Sequence, residues 1–155
     1  LSGQIDIFDI GTLMQIHLRA ALQAQIFEQL EASYPNEGGG FLLGTQTDST
    51  VTVEDIIRVE NTFAEEEQFH RYAMKPLDWA RLEDTADERG LTLVGYFHSH
   101  PNSPAVPSIY DRDHALPNFT YIITAVYSGP KAAEQRVWRL REDRTRFDEN
   151  TLVIM

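Results

Sequence analysis

Residues 91 to 97, LTLVGYF, form a continuous apolar run of strand length that ends on His98-Ser99-His100-Pro101. A run without polar alternation needs cover on both faces, which predicts a central strand with helices packed around its sheet. Two helical patterns supply that cover. Leu22, Ile26 and Leu30 recur at helical spacing and predict a helix over about 19 to 32, stopped by Pro35. Pro76 at a helix start, Trp79, Leu82 and Ala86 at helical spacing, and Gly90 as a stop predict the second. MQIHL reads as a short strand, and GGGFLLG and TVTVEDIIRVENT as two strands that pair with each other. FTYIITAVYS, EQRVWRL and RFDENTLVIM follow as strands, parted by turns at Gly129-Pro130 and Glu142-Asp143. TFAEEEQFHRYAM predicts a solvated loop that rejoins the sheet near Tyr72. Early alternation of helix and strand, then strands alone, indicates a mixed α/β fold with α+β character, its mixed β-sheet flanked by helices. Length allows one domain, residues 1–155.

Charge narrows the partners. The chain carries 24 acidic and 13 basic residues, a formal net charge of -11, and such a field repels phosphate backbones and anionic lipid surfaces. Neither nucleic acid nor a membrane is expected as a partner. There is no cysteine, so a metal site must be built from histidine and carboxylate. No apolar run reaches spanning length, and LSGQIDIFDI lacks the basic start and apolar core of a leader, so a soluble cytoplasmic protein is expected.

The chemistry concentrates after the central strand. Residues two apart in a strand share a face, so His98 and His100 project together while Ser99 points away. Pro107-Ser108 reads as a helix start, with Asp111 in the first turn where it can swing back to the histidine pair. Two imidazoles and one carboxylate leave a fourth tetrahedral position open, the arrangement of a catalytic zinc site. The same residues admit a plainer reading. Ser108 followed three positions later by an acid also matches a capping box, and a His-x-His at a strand end is commonly a polar edge. Spacing alone leaves both open.

His98-Ser99-His100-Pro101, with Ser108 and Asp111 at the spacing HxHPxxxxxxSxxD, resembles the signature of the JAMM (MPN-plus) metalloprotease family. An upstream glutamate completes that signature, and YPNEGGGFLLG supplies Glu37 at the entry to a glycine-rich strand. The likeness runs from about Met14 to Leu140 and is to the compact prokaryotic stand-alone members. It implies an MPN/JAB domain with a three-layer fold like that of cytidine deaminases. It further implies one Zn²⁺ per chain on His98, His100 and Asp111, with Glu37 as general base and Ser108 as oxyanion donor. The substrate implied is a peptide or isopeptide bond after the C-terminal diglycine of a small β-grasp ubiquitin-like or sulfur-carrier protein, held by strand addition at a sheet edge.

The chain departs from the family at one point. Compact members often have a small residue and a cysteine between the acid and the next glycine, where this chain has Gly38 and Gly39, which implies a freer backbone beside Glu37. Ser99 is expected to support the neighbouring backbone, and His114 and Asp113 to stay outside the metal's ligands. His17 and His70 are expected to be surface or packing residues, and Tyr96 and Phe97 core. Segments 62–71 and 101–107 are the loops able to occlude the site. A non-catalytic MPN scaffold and a RadC-like zinc-binding protein are the alternative functions. The sequence leaves the oligomeric state open.

Overall fold

The computed structural model describes residues 13–59 and 76–155; the expected loop through Glu65 and Tyr72, His70, and the first twelve residues lie outside that range. The elements are β1 (Gln15–Leu18), α1 (Ala20–Ser33), β2 (Gly39–Gln46), β3 (Thr50–Val59), α2 (Pro76–Glu88), β4 (Thr92–Pro101), α3 (Ile109–His114), β5 (Thr120–Tyr127), β6 (Lys131–Leu140) and β7 (Phe147–Ile154). The sheet is mixed. β2 runs antiparallel to β3 and to β4, β4 runs parallel to β5, and β5, β6 and β7 follow antiparallel. β1 pairs in parallel with both β3 and β7, which closes the sheet into a barrel.

β4 is the central strand that LTLVGYF predicts, and its alternate residues feed different cores. Phe97 packs with Leu22, Ile26 and Leu30 of α1, with Ile16 and Leu18 of β1, and with Ile122 of β5. Its neighbour Tyr96 packs with Leu82 of α2, Phe41, Phe119 and Tyr121. The two helices therefore serve opposite faces of β4, a layered arrangement in which burial of each large apolar side chain contributes about 1.5 to 3 kcal/mol. Trp79 of α2 meets Phe41 edge to face, with ring centroids 6.3 Å apart.

Both edges of β4 are paired up to His98, and beyond it only the β5 side is. Gly39 to Gly44 of β2 pair with it on one side and Thr120 to Val126 of β5 on the other. The β2 ladder stops opposite His98, whereas the β5 ladder continues through His100 to Pro101. The strand includes Pro101, whose missing N–H falls where β2 no longer needs a donor.

Candidate metal centre

Parity along β4 fixes the direction of the histidines. His98 and His100 share the face of Tyr96, and the Tyr96 and His98 rings lie 5.9 Å apart. Both histidines are buried, 8% and 9% exposed, so their ring nitrogens have little access to bulk water. His98 Nε2 lies 3.2 Å from His100 Nε2. Asp111, in the first turn of α3, places one carboxylate oxygen 3.4 Å from His98 Nε2 and the other 3.2 Å from His100 Nε2. His100 Nδ1 faces the Pro104 carbonyl at 2.9 Å, and a donor there leaves the Nε2 lone pair pointing at its neighbour.

A metal-ligand set fits these distances. Tetrahedral bonds of about 2.0 to 2.1 Å separate ligand atoms by about 3.3 Å, which is the spacing of these three groups. Two imidazole lone pairs and a carboxylate converging in a buried place repel one another unless a cation or a proton lies between them. Glu37 completes the cluster from the loop between α1 and β2. Its carboxylate and the two histidines offer donor atoms all within 4.8 Å of one another. Burial pushes the Asp111 carboxyl up, but the charge of His98 and hydrogen bonds from His100, His98 and the Ser108 amide outweigh it and hold the group well below the usual carboxylate range.

A family model for prokaryotic homologs of the JAB domain matches residues 19–141, which include every residue of this cluster. The chain belongs to the prokaryotic JAB family. This JAB chain is 34% identical over 90 residues to the desampylase of Haloferax volcanii, covering 57% of the chain and 62% of that protein. It is 72% identical over 25 residues to a mouse MPN domain-containing protein, of which that stretch covers 5%. The chain therefore spans less than two thirds of either relative. Among solved structures, one from Salinibacter ruber is 32% identical with a TM-score of 0.66, covering 90% of each chain. A JAB1/MPN domain protein of Archaeoglobus fulgidus shares the fold at a TM-score of 0.54 and 17% identity.

The residues around the cluster are held by the backbone near them. Ser108 is the N-cap of α3, and its Oγ accepts from the Asp111 amide at 3.0 Å while its own amide donates to Asp111 Oδ2 at 2.8 Å. The capping box and the histidine contacts thus coexist on one carboxylate. Glu37, His100, Pro104 and Ser108 line an open cleft of about 560 Å³. Ser99, fully buried on the opposite face, binds Gly38 rather than the cluster. That bond and one from the Ser99 amide to the Gly38 carbonyl hold the start of the glycine run that the sequence reads as freer.

Other expected residues fall where their surroundings draw them. His114 stacks on Tyr110, with centroids 3.9 Å apart, and faces its carbonyl. Asp113 lies 3.6 Å from Arg112 on an exposed side, and His17 meets Gln15. Segment 101–107 is fastened at Ala105, which accepts from Trp138 Nε1 at 3.0 Å and donates to Glu134 at 3.0 Å. Such anchoring does not suit a lid. Sequence reasoning did not single out Pro104, whose contribution is a backbone carbonyl and carries no residue-type signal. Among the described residues no helix is long and apolar enough to cross a membrane.

Proposed function

We propose that this JAB-family chain is a zinc-dependent isopeptidase that cleaves after the C-terminal diglycine of a small ubiquitin-like or sulfur-carrier protein. The observation that carries the reading is the triangle of His98, His100 and Asp111 donor groups, 3.2 to 3.4 Å on each side, with Glu37 beside it. His98, His100 and Asp111 would hold one zinc ion, whose Lewis acidity would lower the pKa of water towards about 7. The chain's own residues do the rest. Glu37 accepts the proton of the attacking water and passes it to the departing amine. Ser108 Oγ accepts from the Asp111 amide, so its own proton remains to be donated to the carbonyl oxygen as charge develops there. Pro104 fixes the His100 ring, and Tyr96 packs beside His98.

The substrate class is supported by the motif and by the likeness to a desampylase. Recognition falls in the cleft between Glu37 and Ser108, where β4 beyond His98 no longer pairs with β2, and on the globular partner. Intact-mass analysis tests it. A β-grasp protein carrying a lysine-linked adduct on its diglycine is incubated with zinc-loaded wild type and with Glu37→Gln. Mass loss at the diglycine junction with wild type alone is expected, with zinc retained in both. No cleavage of any diglycine-tailed substrate by the zinc-loaded wild type overturns the reading.

A further inference from the structure

Asp111 sits on α3, a short helix that buries none of its six residues. A helix this short is far below the length at which hydrogen bonding alone sustains it, so its position depends on what holds its ends. At the N-terminus the only cap is the Ser108–Asp111 box, made by Asp111 itself. The C-terminal end is held from elsewhere. The Arg144 guanidinium, on the turn between β6 and β7, donates from Nη1 to the Ala115 carbonyl at 2.8 Å. It donates from Nη2 to the carbonyls of Arg112 and Asp113 at 3.1 and 3.2 Å. Tyr121 adds one bond, its hydroxyl accepting from the Leu116 amide at 2.7 Å.

Those three carbonyls are among the ones a helix leaves without partners at its last turn, where a cation also meets the negative end of the helix dipole. The planar fork of arginine reaches all three from one position, which a point charge on a flexible stem does less well. Arg144 adopts a left-handed backbone conformation, φ 61°, so the turn that presents it is itself specific.

We infer that Arg144 is a positioning residue for Asp111, holding α3 so that the carboxylate meets both histidines. This rests on reading Asp111 as a metal ligand. Supports one step removed from a metal commonly change its affinity by about 10- to 100-fold, and Arg144→Ala is expected to weaken zinc binding within that range. Arg144→Lys, which keeps the charge and loses the fork, is expected to fall between Arg144→Ala and wild type.

The experiment is zinc affinity by competition with a chelator, on chains shown to be folded by circular dichroism at the assay temperature. It covers wild type, Arg144→Ala, Arg144→Lys, Asp111→Ala and the double variant Asp111→Ala/Arg144→Ala. If Arg144 acts through Asp111, removing it adds nothing to the loss already caused by Asp111→Ala. The same fold-loss in both backgrounds means that Arg144 supports the fold alone, and overturns the inference. Wild-type affinity in either folded Arg144 variant overturns it as well. Wild-type affinity in Asp111→Ala sinks the ligand reading instead, so the two failures are distinct.

Discussion

Ser99 holds Gly38 from both sides. The Gly38 amide donates to Ser99 Oγ at 2.8 Å, and the Ser99 amide donates to the Gly38 carbonyl at 3.1 Å. Gly38 follows Glu37 directly, so a residue that points away from the histidines fixes the end of the loop that brings the carboxylate to them. Ser99→Ala leaves the buried Gly38 amide without its acceptor, at a cost of about 1 to 3 kcal/mol. Zinc should be retained, because the three proposed ligands, His98, His100 and Asp111, are untouched. Turnover should fall about 10- to 100-fold as Glu37 loses its placement. Zinc content and single-turnover rates measured on the same preparation check this, and an unchanged rate would refute the link.

Gly39 is set by contact rather than by conformation. A Cβ there would lie 2.5 Å from the Tyr96 hydroxyl and 2.9 Å from the Phe97 carbonyl, and the Phe97 backbone cannot give way without parting β2 from β4. Overpacking of this kind costs about 1 to 3 kcal/mol. Gly39→Ala should lower the midpoint of denaturant unfolding and weaken zinc binding together, since Gly39 pairs with His98. A variant as stable as wild type would show that β2 can shift freely.

The elements were legible wherever burial writes a pattern. Leu22, Ile26 and Leu30 mark α1 at its helical period, and the unbroken LTLVGYF marks β4 as central. Closure of the sheet was not legible. It depends on four residues of β1 meeting both Thr50–Val53 and Thr151–Ile154, pairings far apart in sequence that leave no local trace. His98, His100 and Asp111 could be singled out because side-chain chemistry is written in residue type, whereas Glu37 and Ser108 were picked out as catalytic candidates only through the family signature. The grip of Pro104 on His100 and that of Arg144 on α3 use backbone carbonyls, which every residue has. The capping and ligand readings of Asp111 were both open in sequence, because spacing does not reveal that its one carboxylate faces the Ser108 amide and the histidines together.

Acid should remove a stabilising contribution from Asp111 in the zinc-free protein. Its folded pKa lies below the unfolded value of about 3.9, so the contribution is fully present above that value and is lost as pH falls through it towards the folded pKa. With chelator present, Asp111→Asn should be less stable than wild type at pH 6 by about 2 kcal/mol. The gap should narrow steadily below about pH 4. Denaturant unfolding of both chains from pH 6 down to the acid limit of folding measures it. A gap that widens on acidification would reverse the assigned sign.

Two roles meet at Ser108, and two substitutions separate them. As N-cap its oxygen accepts from the Asp111 amide, and under the proposed mechanism its proton would serve the oxyanion, so both could operate at once. Alanine removes both, and should cost about 1 kcal/mol of stability as a lost cap. Glycine is a tolerable N-cap, within a few tenths of a kcal/mol of serine, yet has no hydroxyl to donate. If Ser108 donates to the oxyanion, Ser108→Gly and Ser108→Ala should lose the same 100- to 1,000-fold or so in turnover despite their different stabilities. If capping is the whole role, activity should follow stability, with glycine close to wild type and alanine below it. Turnover of the diglycine-linked substrate at saturating zinc, read beside the unfolding midpoint of each variant, decides between the two.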